Sequence, residues 1–182
     1  MARRKPARVH GIMAIDKPAG FTSRAVLNRI CRVVGERRAG HAGTLDPAAS
    51  GVLVVAFGEA TKVVRWLMHS RKSYRAVVSF GTETSTDDAE GEVTRSAPLP
   101  GSWSTECIKE AAAAPMGPIE QVPPAVSALK KDGVRDHERV RRGETIERVA
   151  RTVQLHAVRL IEVNADTATF ELDVGSGFYV RA

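Results

Sequence analysis

The feature that most constrains this chain is the apolar run Val52-Leu53-Val54-Val55-Ala56-Phe57, entered directly from the stretch His41-Ala42-Gly43-Thr44-Leu45-Asp46-Pro47-Ala48-Ala49-Ser50-Gly51. Six consecutive apolar residues, half of them β-branched, bounded by turn formers read as a buried strand. The segment before it is therefore a loop docked on that strand. Pro47 disfavours the helical region for Asp46 and pushes it to an extended conformation, and Gly40, Gly43 and Gly51 allow the sharp bends such a loop needs. A carboxylate is ionised at neutral pH without help from a base, unlike a serine hydroxyl, so a rigid loop has only to aim it. Asp-Pro alone is a common turn dipeptide. Its setting, with His41 five residues upstream and a buried strand directly after, makes Asp46 the first candidate for chemistry.

The 182 residues suit one domain with a real core. With 43% hydrophobic and 26% charged residues the chain reads as globular. It contains no apolar run of membrane-spanning length and no signal-peptide pattern at its start, so a cytoplasmic protein without membrane association is expected. Lys and Arg number 27 against 21 Asp and Glu, a net charge of +6. That balance suits either a polyanionic partner or a solvated basic surface. Cys31 and Cys107 lack any metal-ligand or redox spacing and are expected to be reduced thiols packed as small apolar groups. The five histidines also lack ligand spacing, so no metal is expected.

Along the chain, Arg3, Arg4, Lys5 and Arg8 form a basic arm. Residues 11–16 read as a strand, 17–20 as a turn, and Thr22 or Ser23 as the cap of a helix. That helix carries Val26, Leu27, Ile30, Val33 and Val34 as its apolar stripe and ends near Gly35. Arg24, Arg29, Arg32, Arg37 and Arg38 occupy or flank its other surface. Residues 59–70 read as a second helix burying Val63, Val64, Leu67 and Trp66, and 73–80 as a strand presenting Tyr74. The acidic residues 83–92 read as a solvated hairpin connection. A break over 98–102 precedes a short helix from Ser104, ended by Pro115 and Gly117. Residues 121–124 are extended, 125–130 a strand, and 134–151 a charged helix or face. A long hairpin follows, with Val153, Leu155, Phe170, Leu172 and Val174 alternating about a turn at 164–166. Strands come in runs instead of alternating with helices, which predicts an α+β fold with a mainly antiparallel mixed sheet and flanking helices.

Several stretches in a fixed order carry a resemblance. They are Asp16-Lys17-Pro18-Ala19-Gly20-Phe21-Thr22-Ser23, Gly40-His41-Ala42-Gly43-Thr44-Leu45-Asp46-Pro47, Ala49-Ser50-Gly51-Val52-Leu53, Gly58-Glu59-Ala60-Thr61-Lys62, Lys72-Ser73-Tyr74-Arg75, Ser127-Ala128-Leu129-Lys130 and Gly177-Phe178-Tyr179-Val180-Arg181. The ordered set resembles the bacterial tRNA pseudouridine-55 synthases, the TruB-type branch of the pseudouridine synthases, over essentially the whole chain. The resemblance implies isomerisation of a T-loop uridine of tRNA to pseudouridine, with no cofactor and no metal, by a protein expected to be monomeric. It places Asp46 on the family's catalytic aspartate, Tyr74 on the tyrosine that stacks on the extruded base, and Arg181 on the arginine that pairs with that aspartate. His41 matches a histidine near the flipped nucleotide and Tyr179 a pocket-lining aromatic. Gly43 and Thr44 fall in the same loop motif, Lys17 matches a loop support or RNA contact, and Lys62 and Lys130 phosphate contacts or structural pairs.

Two positions depart from the family pattern: His137 stands for a usual tyrosine and Pro115 for a bulky apolar residue. Family members also continue past the equivalent of Ala182 through the rest of the catalytic domain and a PUA domain. Residues 1–182 are thus expected to be the N-terminal part of a catalytic domain. A tRNA-binding module or folding helper without turnover is the alternative. A guide-dependent relative acting on another RNA fits the stretches less well.

Overall fold

The computed structural model describes residues 6–100, 103–113, 116–124, 130–131, 134–135 and 148–182, the last shared strand pair 130–131 and 134–135 by backbone alone. Expectations for the arm residues 1–5, for Pro115, for the strand at 125–129, for the Lys130 side chain and for residues 136–147 with His137 fall outside the described residues. The chain divides into two compact units, Met1–Ser70 and Arg71–Ala182.

The first unit is built on the apolar run. Strand β1 (Gly11–Lys17), helix α1 (Ser23–Val34), strand β2 (Ala39–His41) and strand β3 (Gly51–Phe57) follow in order. The three strands form an antiparallel sheet in the order β1-β3-β2, with Gly11 opposite Phe57 and Lys17 opposite Gly51. Thr22 caps α1 by accepting the Ala25 N–H at 3.1 Å, and Gly35 ends it. Val26 and Leu27 from α1 meet Leu53, Val55 and Phe57, with Ile15, Ile30, Cys31 and Val34 packed around them. Burying each large side chain contributes about 1.5–3 kcal/mol, so this small cluster is what fixes β3 and hence the loop leading into it. Val33 is 80% exposed and falls off the stripe. The five arginines of and after α1 all face solvent.

Glu36 is a buried acid that the sequence did not single out. Its carboxylate accepts the N–H groups of Arg8 and Arg38, each at 2.7 Å, which holds the entry to β1 against β2. Those backbone donors, Arg38 first, hold its carboxyl below the ordinary range.

The single helix expected over 59–70 is instead a 3₁₀ helix, Gly58–Val63, continued by a five-residue helix α2, Val64–Met68. Thr61 hydroxyl donation to Gly58 O at 2.7 Å tightens the first turn. So short an element buries little: Trp66 is 57% exposed, and Val63 is exposed as well.

The second unit contains β4 (Lys72–Ser79), β5 (Thr82–Thr84), β6 (Val93–Ser96), α3 (Thr105–Ala112), β7 (Gly117–Gln121), β8 (Lys130–Lys131), β9 (Val134–Arg135), β10 (Arg151–Val163) and β11 (Thr167–Val174). Its main sheet is antiparallel in the order β4-β11-β10-β7, and β5-β6 and β8-β9 form separate two-stranded sheets. The long hairpin turns at 164–166 as expected, closed by Asn164 N–H donation to Thr167 O at 2.8 Å. Ser104 caps α3. Gly117, expected to stop that helix, opens β7, which pairs with β10. Cys107 is exposed, unlike Cys31, so only Cys31 packs as a small apolar group. Both units bear out the α+β, antiparallel expectation.

Candidate active site

In the first unit the loop between β2 and β3 is held from beneath. Lys17 is completely buried, and its ammonium donates to Phe21 O at 2.7 Å, Pro18 O at 3.0 Å and Pro47 O at 3.2 Å. Three carbonyls match the three donors an ammonium carries. Of the two roles given to Lys17 from sequence, RNA contact is overturned by this burial, and support of the loop is what the geometry provides.

Ser23, also buried, accepts the Leu45 N–H at 2.9 Å and donates to Leu45 O at 3.1 Å. The Gly20 N–H donates to Pro47 O at 2.8 Å, and Ala49 N–H donates to Asp46 O at 3.1 Å. The backbone is thus pinned at Leu45 and Pro47, on both sides of the half-buried Asp46. One small helix-start residue and one buried lysine convert a turn dipeptide into a fixed pedestal for a carboxylate.

His41 is not a free loop residue: it ends β2, opposite Val55. Its Nδ1 lies 2.5 Å from Gly43 O. A carbonyl only accepts, so Nδ1 carries the proton and a neutral ring keeps Nε2 as an acceptor. Gly43 holds φ at +132°, a backbone conformation that suits glycine, and this turns its carbonyl toward the ring. Thr44 beside it is exposed, whereas Gly40 lies within β2 and needs no special conformation.

Burial pushes His41 below the usual imidazole range, against an upward pull from the Gly43 hydrogen bond, and the nearby Arg24 guanidinium lowers it further. The fold therefore favours the neutral ring. The His41 contribution to stability is complete above an unfolded-state value of about 6.5 and is lost as pH falls below it toward the folded value. An NMR titration of the His41 ring should show a midpoint below that of a free histidine; a midpoint above it would contradict the assignment.

Lys62 pairs with Glu59 at 2.5 Å, and Glu59 also takes Arg38 at 2.5 Å. These are exposed ion pairs, and the Lys62 side chain is 70% exposed, so the pairing leaves it accessible to a phosphate as well. Lys130 lies in β8, and its side chain is outside the described atoms.

In the second unit Tyr74 sits on β4 opposite Leu172 of β11, which is itself opposite Val158 of β10. Its neighbours Ser73 and Arg75 point to the other face, where Arg75 pairs with Glu171 at 2.7 Å and Arg159 bonds the same carboxylate. Exposed pairs of this kind are worth about 0–1 kcal/mol and mainly fix register. Alternation therefore leaves Tyr74 half-buried on the apolar face. Lys72 shares that face, and burial pushes its ammonium down.

Arg181 donates to Thr86 O at 2.9 Å and to the Asp88 carboxylate at 3.2 Å, both side chains being less than one-fifth exposed. This revises the reading of residues 83–92 as a merely solvated connection. They do link the β5–β6 hairpin, but Asp88 organises the turn from within. Its other oxygen accepts the Thr86 hydroxyl at 2.6 Å and the Glu90 N–H at 3.0 Å. Asp88 is the functional candidate that sequence reasoning missed, because an acidic residue in an acidic run reads as solvated until its partner 93 positions away is known.

Among the described residues no cluster of three or more His, Cys, Asp or Glu side chains could hold a metal ion, and no helix is long and apolar enough to cross a membrane.

Residues 31–180 match the TruB family pseudouridylate synthase (N terminal domain). Similar curated proteins include the tRNA pseudouridine synthase B of Aromatoleum aromaticum, 44% identical, with 95% of this chain and 56% of that protein covered. That of Ruegeria pomeroyi is 44% identical, with 100% of this chain and 60% of that protein covered. The chain thus spans well under two thirds of these relatives. Among solved structures, a Cbf5-Nop10-Gar1 complex matches 93% of this chain and 41% of its own at TM-score 0.66 and 29% identity. An H/ACA RNP bound to a substrate RNA containing 2'-deoxyuridine matches 93% of this chain and 39% of its own at TM-score 0.63 and 25% identity.

Proposed function

The chain belongs to the TruB family of pseudouridylate synthases, and from that premise we propose that it converts uridine 55 in the T loop of tRNA to pseudouridine, with Asp46 as the reacting group. The observation that carries this is the pedestal itself: a carboxylate whose flanking residues are both pinned to buried side chains from β1 and α1.

The reaction breaks the N1–C1′ bond of uridine, turns the uracil, and forms a C5–C1′ bond. C5 gives up a proton and N1 gains one. Nothing is oxidised or reduced, so side chains suffice and no cofactor is called for. Asp46 serves by one of two routes, adding to the uracil ring or acting at the sugar as the base departs. Tyr74 stacks on the extruded base and is the candidate to take the C5 proton. Base–aromatic stacking returns about 1–3 kcal/mol of the few spent on extruding the nucleotide. By the same resemblance His41 takes the role of the histidine near the flipped nucleotide, and its neutral ring offers Nε2 as an acceptor.

By the family resemblance Arg181 takes the role of partner to the catalytic aspartate, and within its own unit Asp88 is the residue that holds Arg181. Asp88→Asn keeps the shape but removes the charge facing a mostly buried guanidinium. It should lower kcat by about 10- to 100-fold with RNA affinity little changed, read by single-turnover kinetics. A variant as fast as the parent would leave Asp88 with only a turn-forming role.

The exposed arginines of α1 supply phosphate contacts, and recognition of the T loop rests on its shape and flipped bases. Identity of 44% to the tRNA enzymes against 25–29% to the ribonucleoprotein subunits favours tRNA as the substrate. We place the protein in the cytoplasm on the same ground. Equimolar T-arm and anticodon-arm stem-loops test the assignment: pseudouridine is expected in the T arm alone, and equal product in both would contradict it.

A further inference from the structure

We propose that Gln121 and Arg151 form a clasp that positions Tyr179 and Arg181 for the reaction; the functional half of this inference rests on the activity proposed above. Gln121 ends β7 and Arg151 begins β10, and the two are direct cross-strand partners, so their side chains leave the same face of the sheet. Both reach the segment after β11.

Gln121 is 6% exposed, and its carboxamide acts as one more length of strand. Its oxygen accepts the Tyr179 N–H at 2.8 Å, and its nitrogen donates to Tyr179 O at 2.9 Å and to Ala182 O at 3.1 Å. The Ala182 N–H donates back to Tyr179 O at 3.3 Å, closing a turn that contains Arg181. Arg151 donates to Gly177 O, and its guanidinium lies 4.9 Å from the Tyr179 ring centre. Gly177 adopts φ +84°, which suits glycine and brings its carbonyl into reach. The backbone of residues 177–182 is thereby gripped from β7 and its aromatic ring from β10. Turn geometry fixes the direction in which Arg181 leaves the chain, toward Thr86 and Asp88.

The amide orientation is dictated by Tyr179: oxygen to its N–H, nitrogen to its carbonyl. Gln121→Glu keeps size and the acceptor but sets a carboxylate oxygen against the Tyr179 carbonyl oxygen. The clasp predicts a kcat reduced by ~100-fold, the scale of a small misplacement of reacting groups, with T-arm affinity held within about threefold. Thr152→Val is the control. It removes the Thr152 hydroxyl bond to Glu120, made by the next residues of the same two strands, and should leave kcat unchanged. Arg151→Lys retains a cation and a donor and should keep most of the turnover that Arg151→Met loses.

Backbone exchange reads the clasp without any assay of turnover. The Tyr179 N–H should exchange at least about tenfold faster in Gln121→Met and be unaffected by Thr152→Val. Unchanged exchange in Gln121→Met overturns the clasp. Faster exchange with wild-type kcat in Gln121→Glu overturns the positioning role. Faster exchange with no product from any variant, wild type included, supports the clasp and counts against the activity instead.

Discussion

Asp46→Asn is expected to abolish pseudouridine formation on a T-arm stem-loop, with a loss of roughly 10⁴-fold or more, while the RNA dissociation constant moves by less than about fivefold. The separation follows from how the loop is held. The hydrogen bonds on each side of Asp46 run through backbone groups of Leu45, Asp46 and Pro47, which asparagine keeps. An amide of the same size therefore occupies the same pedestal without the negative charge. Either proposed route needs that charge, whether to attack a ring carbon or to stabilise a departing sugar. Turnover retained in the variant would remove Asp46 from the chemistry; turnover and affinity lost together would assign it to RNA binding.

Lys17→Met should produce the largest change in stability. Methionine fills similar space in the fully buried Lys17 position but leaves the part-buried carbonyls of Pro18, Phe21 and Pro47 without their ammonium donor. Leaving buried acceptors unsatisfied costs about 1–3 kcal/mol apiece, and Pro47 O retains its bond from Gly20. A loss of about 3 kcal/mol lowers the melting temperature by roughly 6–12 °C in a chain of this size. The residual folded protein should turn over ~100-fold more slowly, because Pro47 no longer fixes the backbone beside Asp46. Thermal unfolding and single-turnover kinetics check the two halves separately. A variant melting within a degree of the parent would show that the ammonium does not carry the loop.

How far the sequence disclosed this depended on whether the signal was local. Helix α1 could be read from Thr22, the spacing of Val26, Leu27, Ile30 and Val34, and Gly35, since caps and stripes act within a few residues. The β10–β11 hairpin followed from alternation about 164–166 in the same way. Residues 59–70 misled because Val63, Val64 and Leu67 have helical spacing, yet Thr61 closes back on Gly58 and the element is too short to bury Trp66. Strands β2 and β7, three and five residues long, carry no periodic pattern, and they are strands because β3 and β10 offer them an edge.

The site followed the same rule. The loop around Asp46, with its bends at Gly43 and Gly51, lies in one contiguous stretch and could be read as a loop. The residues that hold the site do so over long separations: Lys17 to Pro47, Asp88 to Arg181, Gln121 to Tyr179. A buried lysine, an aspartate inside an acidic run and a glutamine before two prolines all look like surface residues until the chain is folded. Their roles come from which backbone groups they meet, which composition and spacing do not encode.

The most direct measurement is site-resolved pseudouridine mapping after residues 1–182 are mixed with an equal amount of T-arm stem-loop. The account predicts one pseudouridine per RNA, at uridine 55 and at no other position. Salt-sensitive binding of the same RNA with every uridine unchanged would contradict it and make the chain an RNA-binding module.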